Sequence, residues 1–204
     1  MQQPHYEEIL KKIKQLQQQL EHEIEALAAK KQAEFQYTLK KGQVIFTKNI
    51  RKLQQRYHVG ILPYILRAKP SFILTAPIIY SVILPLLLLD LAVLIYQHTC
   101  FRVYGIPIVS RKDYIIIDRH HLSYLNGIEK INCMYCGYGN GLIAYTREVF
   151  ARTEQYWCPI KHAKRSLDTH NYTDKFIDYG DAESYRKQLN KLRKELKKLE
   201  AQNH

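Results

Sequence analysis

Between Ser71 and Tyr96 the chain reads SFILTAPIIYSVILPLLLLDLAVLIY, 26 residues with one charged side chain, Asp90. No other stretch restricts the fold so severely. As a helix it extends about 39 Å, against about 30 Å for the hydrocarbon core of a bilayer. It is apolar on every face, whereas a core helix in so small a protein needs a polar stripe. The sequence therefore predicts insertion into a membrane. The segment begins far from the N-terminus and no small-residue cleavage site follows it, which disfavours a signal peptide. Pro77 and Pro85 interrupt it, and apolar character continues through FRVYGIPIV to Val109. Two geometries suit that pattern: one membrane-inserted helix, or a re-entrant hairpin with both flanks on one side. Flanking charge does not choose, because Lys52, Arg56, Arg67 and Lys69 are balanced by Arg102, Arg111 and Lys112. A carboxylate inside such a run is a functional candidate by default, and the plainer expectation for Asp90 is that it lies near one interface or pairs with a basic side chain of another helix.

The charge on either side is basic. Residues 1–70 carry net +7, residues 71–97 carry −1 and residues 98–204 carry +6, which makes the chain's +12. Two basic arms around an apolar middle favour anionic lipid headgroups as partners. Nucleic acid is disfavoured, because the basic residues alternate with acids along both arms and no Cys2His2 finger spacing occurs.

The arms themselves predict helices. Ile9, Ile13, Leu16 and Leu20 keep a four–three–four spacing, with Ile24 and Leu27 drifting from that seam. Gly42 breaks the pattern, and QVIFTKNIRKLQQRYH then predicts a second helix before the membrane segment. In the tail, Tyr185, Leu189, Leu192, Leu196 and Leu199 keep strict four–three spacing. Neither arm supplies enough heptads for a sustained coiled coil, so the expectation is a short bundle, a protein partner or self-association through the terminal helices. DYIIID (Asp113–Asp118) is a β-rich run too short to form a sheet alone, expected to pair with another short strand near the cysteines. LDTHNYTDKFIDYGD, residues 167–181, predicts a polar linker.

The remaining feature is a cysteine cluster. Cys133 and Cys136 form a C-x-x-C, followed by GYGNG, by a helical stretch LIAYTREVFARTEQYW, and by CPIKH with Cys158 and His162. Three thiolates and an imidazole are a tetrahedral zinc set, provided the chain folds back across a helix of about 24 Å, with the glycines turning at one end and Pro159 at the other. An iron or iron–sulfur centre and a metal-free redox pair are the competing readings. His120, His121 and His170 are expected to be surface histidines, and Cys100 a packed thiol beside the membrane. Trp157, Tyr135 and Tyr138 read as core or interface packing.

CMYCGY resembles the first metal knuckle of rubredoxins. That resemblance implies Cys133 and Cys136 as ligands and Gly137 as the turn glycine. CPIKH keeps the Cys-Pro of the second knuckle at Cys158 and Pro159 but places Lys161 where the fourth cysteine belongs. The fourth ligand then becomes His162, which implies zinc rather than iron. More broadly, residues 132–163 are similar to a segment of uncharacterised bacterial membrane-associated proteins.

The expected protein is mainly α, with four parts. Residues 1–58 form an amphipathic arm, 59–109 a membrane-inserted segment with its core at 71–96, 110–181 a small Cys3His domain around a central helix, and 182–204 a C-terminal amphipathic helix. The expected function is that of a membrane-anchored structural-zinc protein, non-enzymatic, acting in interaction or assembly. The alternative is a rubredoxin-like or iron–sulfur electron-transfer module. The expected location is a bacterial inner membrane, with the thiols in the reducing cytoplasm.

Overall fold

The computed structural model describes residues 3–35, 37–40, 43–164, 167 and 169–198. Gly42, Arg165 and Leu199 lie outside them. The architecture is mainly helical, and its six helices of seven residues or more are here numbered α1 to α6.

Helix α1 (Gln3–Glu34) is a long polar rod whose apolar seam faces outward. A two-stranded hairpin follows, β1 (Tyr37–Lys40) against β2 (Gln43–Phe46), in the register Tyr37↔Phe46 to Lys40↔Gln43. The second helix expected from QVIF onward is thus corrected. Its first four residues are strand, and helix α2 runs only from Lys48 to Gln55. Val44, Ile45 and Phe46 are β-favouring residues in succession, and the rings of Tyr37 and Phe46 meet across the strands at 5.8 Å. Helix α3 (Ile61–Arg67) leads into the apolar segment.

That segment is helical from Pro70 to Tyr104, 35 residues without reversal, here α4. It is the one helix among the described residues long and apolar enough to cross a membrane. Pro70 sits in the first turn, where its missing N–H costs nothing. Pro77 lies inside and is tolerated, and Val82 carries the chain between the two halves in helical geometry. Near its end a π-helical turn (Gln97–Phe101) inserts one extra residue, and both Gln97 and Phe101 point inward. Gly105, in the left-handed conformation at φ 65°, ends the helix.

The chain then returns along α4 as an irregular strap, residues 106–126, with single 3-10 turns at Arg111–Asp113 and Arg119–His121. Asn126 stops the strap and starts the next helix. Its side chain accepts from the Glu129 backbone N–H at 3.0 Å, while the Glu129 carboxylate accepts from the Asn126 N–H at 2.9 Å. This reciprocal cap launches α5 (Gly127–Trp157), a continuous helix of 31 residues. Contacts advance together along α4 and α5. The Tyr135 hydroxyl donates to the Ile79 carbonyl, Gly139 faces Leu86, and Tyr96 bonds Thr153. The two helices therefore run in the same direction, with the strap passing between them the opposite way.

The core lies where these three pieces meet. Val93 and Phe101 of α4, Ile106 and Val109 of the strap, and Leu142, Tyr145 and Val149 of α5 are buried together, closed at one end by Leu196 of α6 (Ala182–Lys197). Asp181 caps α6 by accepting from the Ser184 N–H at 2.9 Å. Residues 167–181 are more than a linker. Phe176 and Ile177 are buried, and Ile177 forms a parallel bridge with Ile160.

Candidate functional site

The glycines after Cys136 do not make a turn. Gly137, Gly139 and Gly141 lie within α5 and are buried, at a cost of about 1 kcal/mol each relative to alanine in a helix. What offsets it is close approach. A Cβ on Gly141 would stand 2.6 Å from the Tyr114 carbonyl oxygen and 2.8 Å from Ile115 Cα, and one on Gly137 would stand 3.1 Å from the Ile116 carbonyl oxygen. Gly137 and Gly141 are four apart, so together they form a shallow groove on one face, and the strap's backbone lies in it. The DYIIID run is accordingly no paired strand. It is the segment this groove receives, and it pairs with a helix surface because no β partner stands beside it.

Continuity of α5 fixes where the four expected ligands stand. Cys133 and Cys136 lie in its first third, three residues apart on neighbouring positions of one face. Cys158 caps the far end, and His162 follows it, exposed. About 33 Å of helix separates Cys136 from Cys158, so the fold-back that a shared ion requires is not made. The structure sets Cys133 and Cys136 on one face of α5 and leaves Cys158 and His162 beyond its far end, so the two pairs are not brought together. Among the described residues no group of three or more His, Cys, Asp or Glu side chains is close enough to hold one metal ion. As placed, the donors do not fit a single four-ligand centre, and no chemistry is routed through one. All four thiols are unpaired. Burial, with the Glu154 charge adding to it, pushes the Cys158 thiol above its usual value, which disfavours the thiolate.

The chemistry-bearing contacts gather at two other places. The first is Asp90, 6 % exposed on the inward face of α4. Arg111 of the strap grips it with both arms, Nε to Oδ1 at 3.1 Å and Nη2 to Oδ2 at 2.6 Å, and the Tyr138 hydroxyl donates to Oδ2 at 2.9 Å. The hydrogen bond to Asp90 raises the Arg111 pKa further above its already high range. Two turns on, Gln97 donates to the Tyr145 hydroxyl at 2.6 Å and to the Val109 carbonyl at 3.3 Å, and accepts from the Val109 N–H at 3.2 Å. Each buried polar side chain of α4 thus clamps the strap and α5 at once. The expectation that a basic side chain would pair with Asp90 is met, by a strap residue rather than one from another long helix.

The second place is the outer face of α5 under residues 169–176. Arg152 binds Glu148 at 2.8 Å and donates to the Pro107 carbonyl at 2.8 Å, and the Tyr172 hydroxyl donates to Glu148 at 2.6 Å. His170 bonds Glu154 at 2.8 Å. Burial, the hydrogen bond to Glu148 and that carboxylate's charge hold the Tyr172 hydroxyl far above its ordinary range, so it is a fixed donor and not a base. Sequence reasoning left Tyr172 and Arg152 unremarked and placed His170 at the surface. The i, i+4 spacing of Glu148 and Arg152 was the available signal. Trp157 packs edge-on against Tyr104 at 5.1 Å, with Arg193 over its ring at 5.8 Å, a packing corner where α4, α5 and α6 meet.

One apolar groove of about 640 Å³ opens between α3, the start of α4 and the start of α5. It is lined by Ile65, Phe72, Ala76, Tyr80, Tyr135 and Cys136, among others. It contains no group of acid, base and nucleophile in mutual reach.

In comparisons with family models, curated proteins and solved structures, nothing matches this chain. Its function is therefore argued from its own geometry.

Proposed function

We propose that this protein is a non-enzymatic, membrane-bound assembly module that pairs with a second copy through α1. The observation that carries the reading is the seam of α1. Ile13, Leu16, Leu20, Ile24 and Leu27 stay exposed along a helix of 32 residues, which meets the rest of the chain at β1 and, around Ile13, beside Asn171, Asp174 and Lys175. An amphipathic helix of that length without a packed face gains stability from a partner helix. The body supplies the anchor, because α4 carries an unbroken apolar surface of bilayer length. Four unpaired thiols suit a reducing compartment, so the body is assigned to the cytoplasmic side of a bacterial-type inner membrane. The electron-transfer alternative needs an iron centre, and the donors as placed offer none.

The test is oligomeric state. The detergent-purified protein is expected to sediment as a dimer, and the double variant Ile13→Glu, Leu20→Glu as a monomer with an unchanged melting temperature. A wild-type monomer at micromolar concentration contradicts the reading.

A further inference from the structure

We infer that α4 does not cross the bilayer but lies in its surface, one face in the lipid and the other carrying the protein body, on an anionic leaflet. The inference rests on the membrane-bound reading and refines it.

From Leu84 onward the two faces of α4 differ in kind, whereas Pro70–Ser81 buries no residue. Leu84, Leu87, Leu88, Leu91 and Ile95 recur at three- and four-residue steps and are exposed, Leu88 at 68 %. The opposite stripe, Asp90, Val93, Gln97 and Phe101, is buried against the strap and α5. Consider α4 as a span. The strap runs beside it from Ile106 back past Gly137, so residues 106–119 would lie at the depth of the hydrocarbon core. That strap is irregular backbone, and Lys112, Asp113 and Arg119 are exposed on it. Unpaired irregular backbone and exposed charge do not face hydrocarbon. Glu148, Arg152 and Tyr172 then add a polar layer on α5 at the level of the α4 C-terminal turns. The flank also exposes Ile117, Ile131 and Met134, but the exposed charges of Lys112, Asp113 and Arg119 among them demand water on that side.

In the surface orientation each of these features finds its place. The exposed leucine stripe, with Ile78 and Val103 towards its ends, enters the acyl region, and the strap and α5 face the cytoplasm. A helix of 35 residues is about 52 Å long, far over the thickness of the hydrocarbon core, and lying flat removes the mismatch. Charge complements the choice of lipid. Arg67 and Lys69 stand at one end of the apolar stripe and Arg102 at the other, all exposed, in reach of headgroup phosphates at both ends of a helix lying flat. The Asp90–Arg111 pair becomes a structural clamp on the dry side of the body, not an intramembrane charge.

The experiment uses the full chain with a different epitope tag at each terminus, expressed in bacteria and recovered in inverted and right-side-out membrane vesicles. With trypsin added outside, both tags should be lost from inverted vesicles and both retained in right-side-out ones. Loss of one tag in each preparation overturns the surface orientation while leaving membrane binding intact. Recovery of the protein as a soluble dimer instead overturns both, and assigns the leucine stripe to a second copy. Leu88→Asp, at an exposed position, should weaken binding to vesicles of phosphatidylcholine with phosphatidylglycerol by at least about tenfold. Equal binding to phosphatidylcholine alone would overturn the anionic preference.

Discussion

Helices α1 and α5 are almost equal in length, 32 and 31 residues, and they do opposite things with it. The first is the better helix by composition, rich in Gln, Lys, Glu and Ala with a repeating apolar seam, and it is exposed from Lys11 to Lys31. The second carries three buried glycines, and the whole body is built on it. The lesson is that helix propensity does not decide which helix organises a fold. α5 organises it because its glycines admit a backbone, its tyrosines reach polar partners on α4, and a reciprocal cap fixes where it begins. α1 has only a pattern that calls for another helix.

That contrast is most sharply broken at the glycines. Gly141→Leu should abolish folding of the body, and Gly141→Ala should destabilise it by about 1–3 kcal/mol, since even one methyl meets Tyr114 and Ile115 backbone. Gly139→Ala, whose Cβ would only touch Leu86 at 3.4 Å, should be neutral or stabilise by up to about 1 kcal/mol. Chemical denaturation of the three variants checks the ranking. If Gly141→Ala is as mild as Gly139→Ala, the strap does not lie in the groove.

Next in size is the clamp. Arg111→Ala leaves the Asp90 carboxylate buried with Tyr138 alone and should cost about 2–3 kcal/mol, whereas Tyr138→Phe, which removes one of three hydrogen bonds, should cost about 1 kcal/mol. A smaller effect is expected with pH. The His120 and His121 rings stand 3.9 Å apart, and burial, followed by the charge of His120, lowers the His121 pKa. A histidine whose folded pKa is depressed binds its proton more readily unfolded, so stability is full above its ordinary value near 6.5 and falls as pH drops through it. Melting curves between pH 8 and 5 should show that loss, reduced in His121→Gln. Smallest is the effect on α1 itself: Leu20→Ala should change folding stability by less than about 0.5 kcal/mol, against about 2–5 kcal/mol for Leu142→Ala at a fully buried position of α5.

Much of this was legible in the residues. The uniform apolarity of 71–96 announced a membrane-inserted segment but left a single helix and a hairpin open, the heptad-like steps of 9–20 and 185–196 announced α1 and α6, and an isolated Asp90 announced a basic partner or an interface position. The cysteine region misled for a physical reason. Glycines punctuate helices when their backbone must turn, yet the same residues sit inside a helix when another backbone must come close, and spacing alone does not separate those uses. The start of α5 is fixed by Asn126 and Glu129, a capping box whose first residue lies 16 positions before Leu142, where the helical periodicity of LIAYTREVFARTEQYW begins. DYIIID looked like a strand because β-branched residues favour extended backbone, yet Asp113 lies in a 3-10 turn, Tyr114 and Asp118 are helical in backbone, and the run is irregular chain seated on α5.

The placement of the two cysteine pairs requires that α5 be one uninterrupted helix between them. Spin labels on Cys133 and Cys158, in a chain with Cys100 and Cys136 replaced by serine, measure this directly by double electron–electron resonance. A continuous helix predicts a separation of about 37 Å between the two backbone positions. A much shorter separation, as a chain folded back between the two cysteine pairs gives, would contradict continuity of the helix.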